Sequence, residues 1–189
     1  PWRQGSPDGP LDVVWTTAAL GRLHAAEPPP GLPPWLPRVG PDFAETVAAL
    51  ARQDWGPGPF AAPARDAVRA HLADLERWTR RYHHLAGAAR SRAWVATHGE
   101  PDSGNQLLTP QGRLLVDWES LTLAPAELDL RTLLAAGSPT AVDPEMVELF
   151  DLEWRLDEIS EYAAWFAAPH TGTADDEIAF GGLLEELDR

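Results

Sequence analysis

Residues 97–130 read THGEPDSGNQLLTPQGRLLVDWESLTLAPAELDL, and this stretch decides the interpretation of the chain. His98-Gly99-Glu100 is followed, after four intervening residues, by Asn105, and Asp117 ends an apolar run. Phosphoryl transfer needs a carboxylate that orients a hydroxyl and takes its proton. It also needs carboxylate and amide oxygens that hold Mg²⁺ against the β and γ phosphates. Glu100, Asn105 and Asp117 are residues of these types.

The surrounding pattern predicts a small β-hairpin set among helices. The apolar runs 106–108 and 114–116 flank the turn Thr109-Pro110-Gln111-Gly112. The proline-rich residues 28–41 predict an extended loop. Apolar spacing, caps and proline positions predict helices over 11–26, 42–53 with Asp42 as N-cap, 63–86, 126–136, 143–167 with a capped start, and from Thr173 onward.

Composition excludes several classes of protein. The 189 residues are 44% hydrophobic, enough for one large domain with a real core. We find no apolar run long enough to span a membrane and no leader pattern, so we expect a cytoplasmic protein. With zero Cys, disulfides and thiolate sites are excluded.

The charge of −14 is uneven, since residues 143–189 hold 14 acids against two Arg. Such a field repels nucleic acid and anionic membranes and attracts cationic ligands. We therefore expect neither nucleic acid nor membrane as a partner.

The motifs HGEPDSGN, LLVDWE and LAPAELDL together resemble the aminoglycoside phosphotransferase and choline kinase family, whose usual pattern is H-G-D-x-x-x-x-N, then I/V-D-W/F-E/D, then D-L. The opening PWRQG resembles the segment after that family's hinge, and LGRLHAA resembles its first large-lobe helix. The resemblance implies a mainly α (α+β) fold: a protein kinase-like C-terminal lobe in which a small β-hairpin carries the catalytic and metal loops. It implies a post-hinge segment at 1–10, the C-terminal lobe at 11–189, and an ATP-binding N-terminal lobe of the same protein that this chain lacks.

Carried over residue by residue, the resemblance implies that Glu100 is the catalytic base and that His98 organises its loop. Asn105 and Asp117 would bind metal, and Asp129 would be a buried acid that braces the catalytic loop. The implied reaction uses ATP and Mg²⁺ and moves the γ-phosphate to a hydroxyl of a small, amine-bearing acceptor, such as an aminoglycoside-type antibiotic or a related metabolite.

Three features depart from the family pattern. Glu100 stands where Asp is usual, and its extra methylene moves the carboxylate by about 1 Å, a displacement that can cost about 100-fold in rate. Asp102 replaces a frequent His and is expected to tune substrate binding. All 15 basic residues are Arg, so the small-lobe Lys of such kinases is missing. We expect the isolated lobe to be inactive.

Four further acids, on the helix predicted over 143–167, are candidate substrate ligands, because the resemblance implies that the helices after the D-L motif form the acceptor pocket. Like charges one helical turn apart also destabilise a helix mildly, and a bound cationic ligand would offset that cost. The four acids are Glu153, Asp157, Glu158 and Glu161. The alternative is a solvated helix face. His24, His83 and His84 lie on predicted helices without a neighbouring carboxylate motif, and no function is assigned to them.

Two other interpretations stay open. A catalytically inactive pseudokinase or small-molecule binding module would keep the fold without turnover. An unrelated helical interaction protein would require the three ordered motifs to be coincidence.

Overall fold

The computed structural model describes residues 6, 7 and 9–189. Along the chain the elements are β1 (Ser6–Pro7), α1 (Val13–Ala25), α2 (Phe43–Arg52), α3 (Ala61–Ala70), α4 (Leu72–Ala89), β2 (Val95–Thr97), β3 (Gln106–Thr109), β4 (Gly112–Leu115), a 3-10 turn (Trp118–Ser120), β5 (Thr122–Ala124), α5 (Glu127–Ala135), α6 (Pro144–Ala167) and α7 (Ala174–Asp188). The fold is mainly helical, as predicted. The predicted post-hinge segment falls largely on residues 1–5 and 8, which lie outside the described residues.

The chain divides into two compact units, each discontinuous in sequence. The first consists of Pro1–Leu36 and Ala88–Phe150, and the second of Pro37–Gly87 and Asp151–Arg189. All three motifs of the 97–130 stretch belong to the first unit. The acidic residues of α6 from position 151 onward belong to the second.

Two small antiparallel sheets organise the first unit. One has the strand order β1-β3-β4, and the other pairs β2 with β5. The predicted hairpin is confirmed: β3 and β4 pair from Gln106 opposite Leu115 to Thr109 opposite Gly112. The Thr109 hydroxyl closes the turn by donating to the Gly112 carbonyl at 2.8 Å, and Gly112 takes a φ of 119° that favours glycine.

Each unit has its own apolar core. In the first, α1, β2, β5, α5 and the start of α6 contribute Leu20, Ala96, Ala124, Leu133, Met146, Leu149 and Phe150. In the second, α2, α4, α6 and α7 contribute Val47, Leu75, Tyr82, Leu156, Ile159, Phe166 and Leu183. Within α4 and α6 these buried side chains recur at helical spacing, which is the period that predicts the helices.

Two predicted helix features differ in the structure. The single helix predicted over 63–86 is two helices, α3 and α4, separated at His71. The His71 N–H bonds to the Val68 carbonyl at 3.1 Å, and the ring Nδ1 lies 2.9 Å from the Ala67 carbonyl oxygen, so this residue ends α3 by satisfying its last carbonyls. Asp42 lies at the N-cap of α2, but its side chain makes no capping bond.

None of the helices in the described part of the chain is both long and apolar enough to cross a membrane.

The start of α7 is capped by several hydrogen bonds. Thr173 and Asp176 form a reciprocal capping box. The Asp176 carboxylate accepts from the N–H groups of Gly172 and Thr173, each at 2.8 Å, and from the Trp165 indole at 2.8 Å. Its backbone bond to Thr173, then the Trp165 bond, lower the pKa of Asp176 from 3.8 to about 2.

We predict that Asp176→Asn destabilises the protein at neutral pH and that this deficit narrows in acid. The folded-state pKa of Asp176 lies below the unfolded value, so its stabilising effect is present above about pH 4 and is lost as the pH falls towards 2. Thermal unfolding at pH 7 and pH 3 measures the difference from the parent protein. Asp175→Asn, an exposed acid in the same turn, is the control, and an Asp176→Asn deficit that is equal at both pH values would contradict the prediction.

Candidate active site

Strand β2 leads from the core of the first unit directly into the motif His98-Gly99-Glu100. It pairs with β5 from Val95 opposite Ala124 to Thr97 opposite Thr122. The Thr97 hydroxyl donates to the Thr122 carbonyl at 3.0 Å. His98 follows at once, so the loop starts from a fixed strand end.

His98 is fully buried, and its two ring nitrogens have different neighbours. Nε2 lies 2.8 Å from the Val116 carbonyl oxygen, and the Glu100 N–H points at Nδ1 from 3.3 Å. Because a carbonyl only accepts and an N–H only donates, the proton is assigned to Nε2 and the lone pair to Nδ1. His98 therefore ties the segment before Asp117 to the segment that carries Glu100. A loop-organising role is what the family resemblance implies for His98; these contacts support it, and it stays a prediction.

Gly99 takes a conformation that only glycine adopts easily. Its φ is +96°, and a Cβ atom there would lie 2.8 Å from the Cβ of Ser120. The missing side chain allows the loop to pass against the residues that follow Asp117. The G of the HGE motif is therefore explained by close approach as well as by backbone geometry.

Asn105 is held by both its main chain and its side chain. Its Nδ2 donates to the Glu100 carbonyl at 2.9 Å, and its own carbonyl accepts from the Val116 N–H at 2.9 Å. Because the amide nitrogen is committed to Glu100, Oδ1 is the side-chain atom left for a metal. The structure thus brings Glu100, Asn105 and the residue before Asp117 into one hydrogen-bonded group.

Asp102 shapes the loop between Glu100 and Asn105. Its Oδ1 accepts from the Gly104 N–H at 2.8 Å and from the Asn105 N–H at 3.1 Å, which is an Asx turn. The sequence suggested a substrate-tuning residue at this position and missed this bracing contact. A role for its carboxylate towards substrate stays a prediction.

Asp117 has a left-handed backbone, with φ 63° and ψ 68°, and among the described residues no other non-glycine has a positive φ. Aspartate tolerates this region better than most residues, and such conformations concentrate at functional sites. The side chain is exposed at the junction of β4 and the 3-10 turn. The next residue, Trp118, packs edge-on against His98 with ring centroids 4.6 Å apart.

Asp129, on the first turn of α5, is fully buried and accepts three hydrogen bonds. Its Oδ1 accepts from the Gly99 N–H at 2.8 Å. Its Oδ2 accepts from the His98 N–H at 3.0 Å and lies 2.8 Å from Nε2 of His24 on α1. The carboxylate therefore fixes the two residues that precede Glu100. The role implied for Asp129, bracing a catalytic loop, is supported by these bonds and stays a prediction.

His24 is the residue that sequence reasoning missed. Its side chain is only 13% exposed, and because Asp129 Oδ2 is an acceptor, Nε2 of His24 must carry the proton. The nearest signal was the LGRLHAA segment, which indicated a helix without indicating a partner for its histidine.

Asn105 and Asp117, the predicted metal ligands, offer amide and carboxylate oxygens, which are the donor types that a hard cation prefers. Among residues 6, 7 and 9–189, no three His, Asp or Glu side chains converge as a metal cage. Mg²⁺ does not need one, because it is commonly held by one or two protein oxygens together with substrate phosphates and water. An Asn–Asp pair is a donor set of that kind.

Glu153 differs from its prediction as a substrate ligand. It is buried in the second unit, where one oxygen accepts from the Tyr82 hydroxyl at 2.6 Å and from the Arg38 N–H at 3.1 Å. Burial, with the Glu153 charge beside it, raises the pKa of Tyr82 well above its ordinary value. Glu153 is therefore a structural acid that holds residues 38 and 82 together.

The other three candidate acids of α6 lie closer to solvent. Asp157 Oδ2 is 3.7 Å from the Arg38 guanidinium, with both groups about half exposed, and such surface pairs are weak. Glu158 accepts from the Tyr162 hydroxyl, a bond that raises the pKa of Tyr162 to about 12. Glu161 is exposed. A role for these three in binding an acceptor stays a prediction.

Comparison with known proteins agrees with the motifs. The model of the phosphotransferase enzyme family matches residues 7–165. Protein StrN of Streptomyces griseus is 36% identical over 182 residues, which cover 90% of this chain and 57% of StrN. The chain thus spans little more than half the length of that relative.

Two solved structures share the fold. The spectinomycin phosphotransferase APH(9)-Ia, in complex with ADP and spectinomycin, matches with a TM-score of 0.69 and 15% identity over 98% of this chain and 65% of that one. Its AMP-bound complex matches with a TM-score of 0.69 and 16% identity over 100% of this chain and 68% of that one. At this identity the likeness establishes the protein kinase-like fold.

We predict that Asp129→Asn destabilises the protein by about 1–3 kcal/mol, because whichever way the amide turns, its NH₂ group faces a donor and leaves that buried N–H unpaired. Denaturant unfolding measures the change. Glu27→Gln, at an exposed acid just beyond α1, is the control and is expected to be neutral. Equal stability of the two variants would show that the three-donor arrangement around Asp129 is not what holds the loop.

We predict opposite outcomes for two glycines. Gly99→Ala must adopt a φ of +96° against Ser120, and the strain is expected to cost about 1–3 kcal/mol. Gly21→Ala lies inside α1, where a Cβ meets nothing within 4 Å, and it should stabilise by about 0.5–1 kcal/mol. Urea midpoints of the two variants check this, and a harmless Gly99→Ala would refute the close approach of the loop to Ser120.

Proposed function

The chain belongs to the phosphotransferase enzyme family, and on that premise we propose that the full-length protein is a kinase of small molecules that transfers the γ-phosphate of ATP to a hydroxyl group. The observation that carries the proposal is the hydrogen-bonded group of Glu100, Asn105 and the segment leading to Asp117. It supplies a carboxylate for a proton and oxygen ligands for a cation within one loop system.

In the proposed reaction, Glu100 accepts the proton of the acceptor hydroxyl. The hydroxyl oxygen forms a bond to the γ-phosphorus, the bond from that phosphorus to the β–γ bridging oxygen breaks, and ADP leaves with that electron pair. His98, Gly99 and Asp129 touch no reacting atom. They hold the Glu100 backbone, because positioning supplies much of the rate in this chemistry.

Asn105 Oδ1 and the Asp117 carboxylate are the proposed holders of Mg²⁺, which when bound neutralises charge on the β and γ phosphates. The left-handed backbone of Asp117, with φ 63° and ψ 68°, ends the extended conformation of the segment that follows β4. Fixing the Asn105 amide through Nδ2 leaves Oδ1 as the only side-chain acceptor at that residue.

The ATP site is proposed to be shared with an N-terminal lobe of the same protein. The chain has no Lys and no Gly-rich phosphate loop, and kinases of this fold use a Lys to hold the α and β phosphates. Residues 11–189 would be the C-terminal lobe, inactive when isolated. The 57% coverage of StrN agrees with this division.

An amine-bearing acceptor is the proposed substrate class. The chain's charge of −14, concentrated after residue 142, favours a cationic ligand. Asp157, Glu158 and Glu161 remain the candidate groups for its amines. Because APH(9)-Ia is a spectinomycin phosphotransferase, an aminoglycoside-type antibiotic is one candidate, and a related metabolite is another.

The second candidate function, a non-catalytic binding module, is favoured by one observation. Glu100 has one methylene more than the family's usual Asp, so its carboxylate sits farther from the loop backbone. If the protein is such a module, Glu100→Asp gains turnover that the parent lacks. If Glu100 is the working base, the same change lowers kcat because the rest of the loop is adapted to the longer side chain.

We predict that the full-length protein transfers phosphate from Mg²⁺-ATP to at least one member of a panel of aminoglycosides and amino alcohols. Asp117→Ala and Glu100→Ala should each lower kcat by about 100-fold or more, since each removes a group that acts in the transition state. Phosphorylated product, counted by mass spectrometry, is the measurement.

Glu177→Gln is the matched control for charge, because it removes one exposed acid of α7 that lies outside the loop and outside the candidate acceptor ligands. It is expected to leave both kcat and KM for the acceptor unchanged. No transfer to any acceptor, together with no Mg²⁺-dependent ATP binding by the full-length protein, would refute the kinase proposal.

A further inference from the structure

Gln106 follows Asn105 directly and begins β3, yet its side chain is fully buried. Its Nε2 donates to the Thr16 hydroxyl of α1 at 2.9 Å and, more weakly, to the Pro101 carbonyl at 3.4 Å. Thr16 in turn donates to the Asp12 carbonyl at 2.8 Å. A line of hydrogen bonds thus joins the first turn of α1 to the residue after Glu100.

The neighbours of Gln106 allow its amide only one orientation. The Pro101 carbonyl can only accept, and the Thr16 hydroxyl already uses its proton on Asp12, so the NH₂ group must face both. The other amide atom, Oε1, is buried, and no residue in the described part of the chain donates to it.

A buried acceptor without a donor destabilises the folded state, and an apolar side chain of the same length would avoid that penalty. Folding stability alone therefore does not account for a glutamine here. What the glutamine supplies, and an apolar residue would not, is a donor directed at the loop.

Two neighbouring side-chain amides bond to consecutive carbonyls of the loop that carries the candidate base. Asn105 Nδ2 holds the Glu100 carbonyl at 2.9 Å, and Gln106 Nε2 reaches the next carbonyl along the chain, that of Pro101. The Gln106 main-chain N–H adds a long bond to the Ser103 carbonyl at 3.4 Å. The consecutive peptides after Glu100 and Pro101 are thus oriented by consecutive side chains.

We propose that Gln106 is a positioning residue for phosphoryl transfer: it anchors the Pro101 peptide to α1 and so restricts where the Glu100 carboxylate can lie. The inference rests on the proposed function. This anchoring of the backbone matters more for a glutamate than for an aspartate at position 100, because the longer side chain has one more rotatable bond and depends more on a fixed backbone. Loosening that backbone is expected to lower kcat by about tenfold, since small misplacements of a reacting group are costly.

The test compares Gln106→Met with Thr109→Val in the full-length protein. Met keeps the length of Gln106 and removes the donor. Thr109 is buried at the other end of β3, and among the described residues its hydroxyl bonds only within the hairpin turn. Thr109→Val therefore weakens the same strand without touching the loop that carries Glu100. We expect Gln106→Met to lower kcat with KM for ATP unchanged, and Thr109→Val to lower the unfolding midpoint with kcat unchanged.

Gln106→Glu is the second variant, because it keeps the side-chain shape and replaces the donor by a carboxylate that repels the Pro101 carbonyl. It should be at least as slow as Gln106→Met. Full kcat in both variants would overturn the proposal, and so would equal losses of kcat in Gln106→Met and Thr109→Val.

Hydrogen exchange separates this inference from the proposed function. If the parent protein transfers no phosphate, the kinase proposal fails, but the anchoring still predicts faster amide exchange over residues 99–105 in Gln106→Met than in Thr109→Val. Identical exchange in that segment would refute the anchoring whatever the activity.

Discussion

The Asp129 carboxylate lies in the core of the first unit with three donors directed at it, two from the loop backbone and one from His24. A buried carboxylate is stable only when such bonds replace its lost hydration. The same bonds fix the peptides of His98 and Gly99 to α5. The path of the loop after Gly99, and with it the direction of Glu100, therefore depends on peptides that this one side chain holds in place.

A loop held in this way can keep conformations that a free loop would abandon. Gly99 and Asp117 both have positive φ, and a strained backbone persists only where the surroundings over-determine it. His98 provides the second attachment, since its ring joins the Glu100 N–H to the Val116 carbonyl. Asp129 thus fixes one end of the loop, and His98 connects the loop to Val116, which lies between β4 and Asp117.

Sequence periodicity predicted the helices and the hairpin because those elements depend on neighbours within a few residues. The motifs also named Asp129 and Asn105. The His24 bond joins residues 105 positions apart, and no local pattern encodes such a contact. The break at His71 is missed for the opposite reason: apolar spacing continues across it, while one residue satisfies the last carbonyls of α3 with its ring and its main-chain N–H.

The acidic residues show why the number of acids counted in the sequence overstates the negative charge exposed at the surface. Asp129, Glu153 and Asp176 are buried, and each accepts hydrogen bonds from within its own unit. A carboxylate satisfied in this way contributes to folding and little to the field that meets a ligand. If the proposed function holds, recognition of a cationic acceptor would come from the partly exposed acids, and the exposed Glu161 is better placed for it than the buried Glu153 on the same helix.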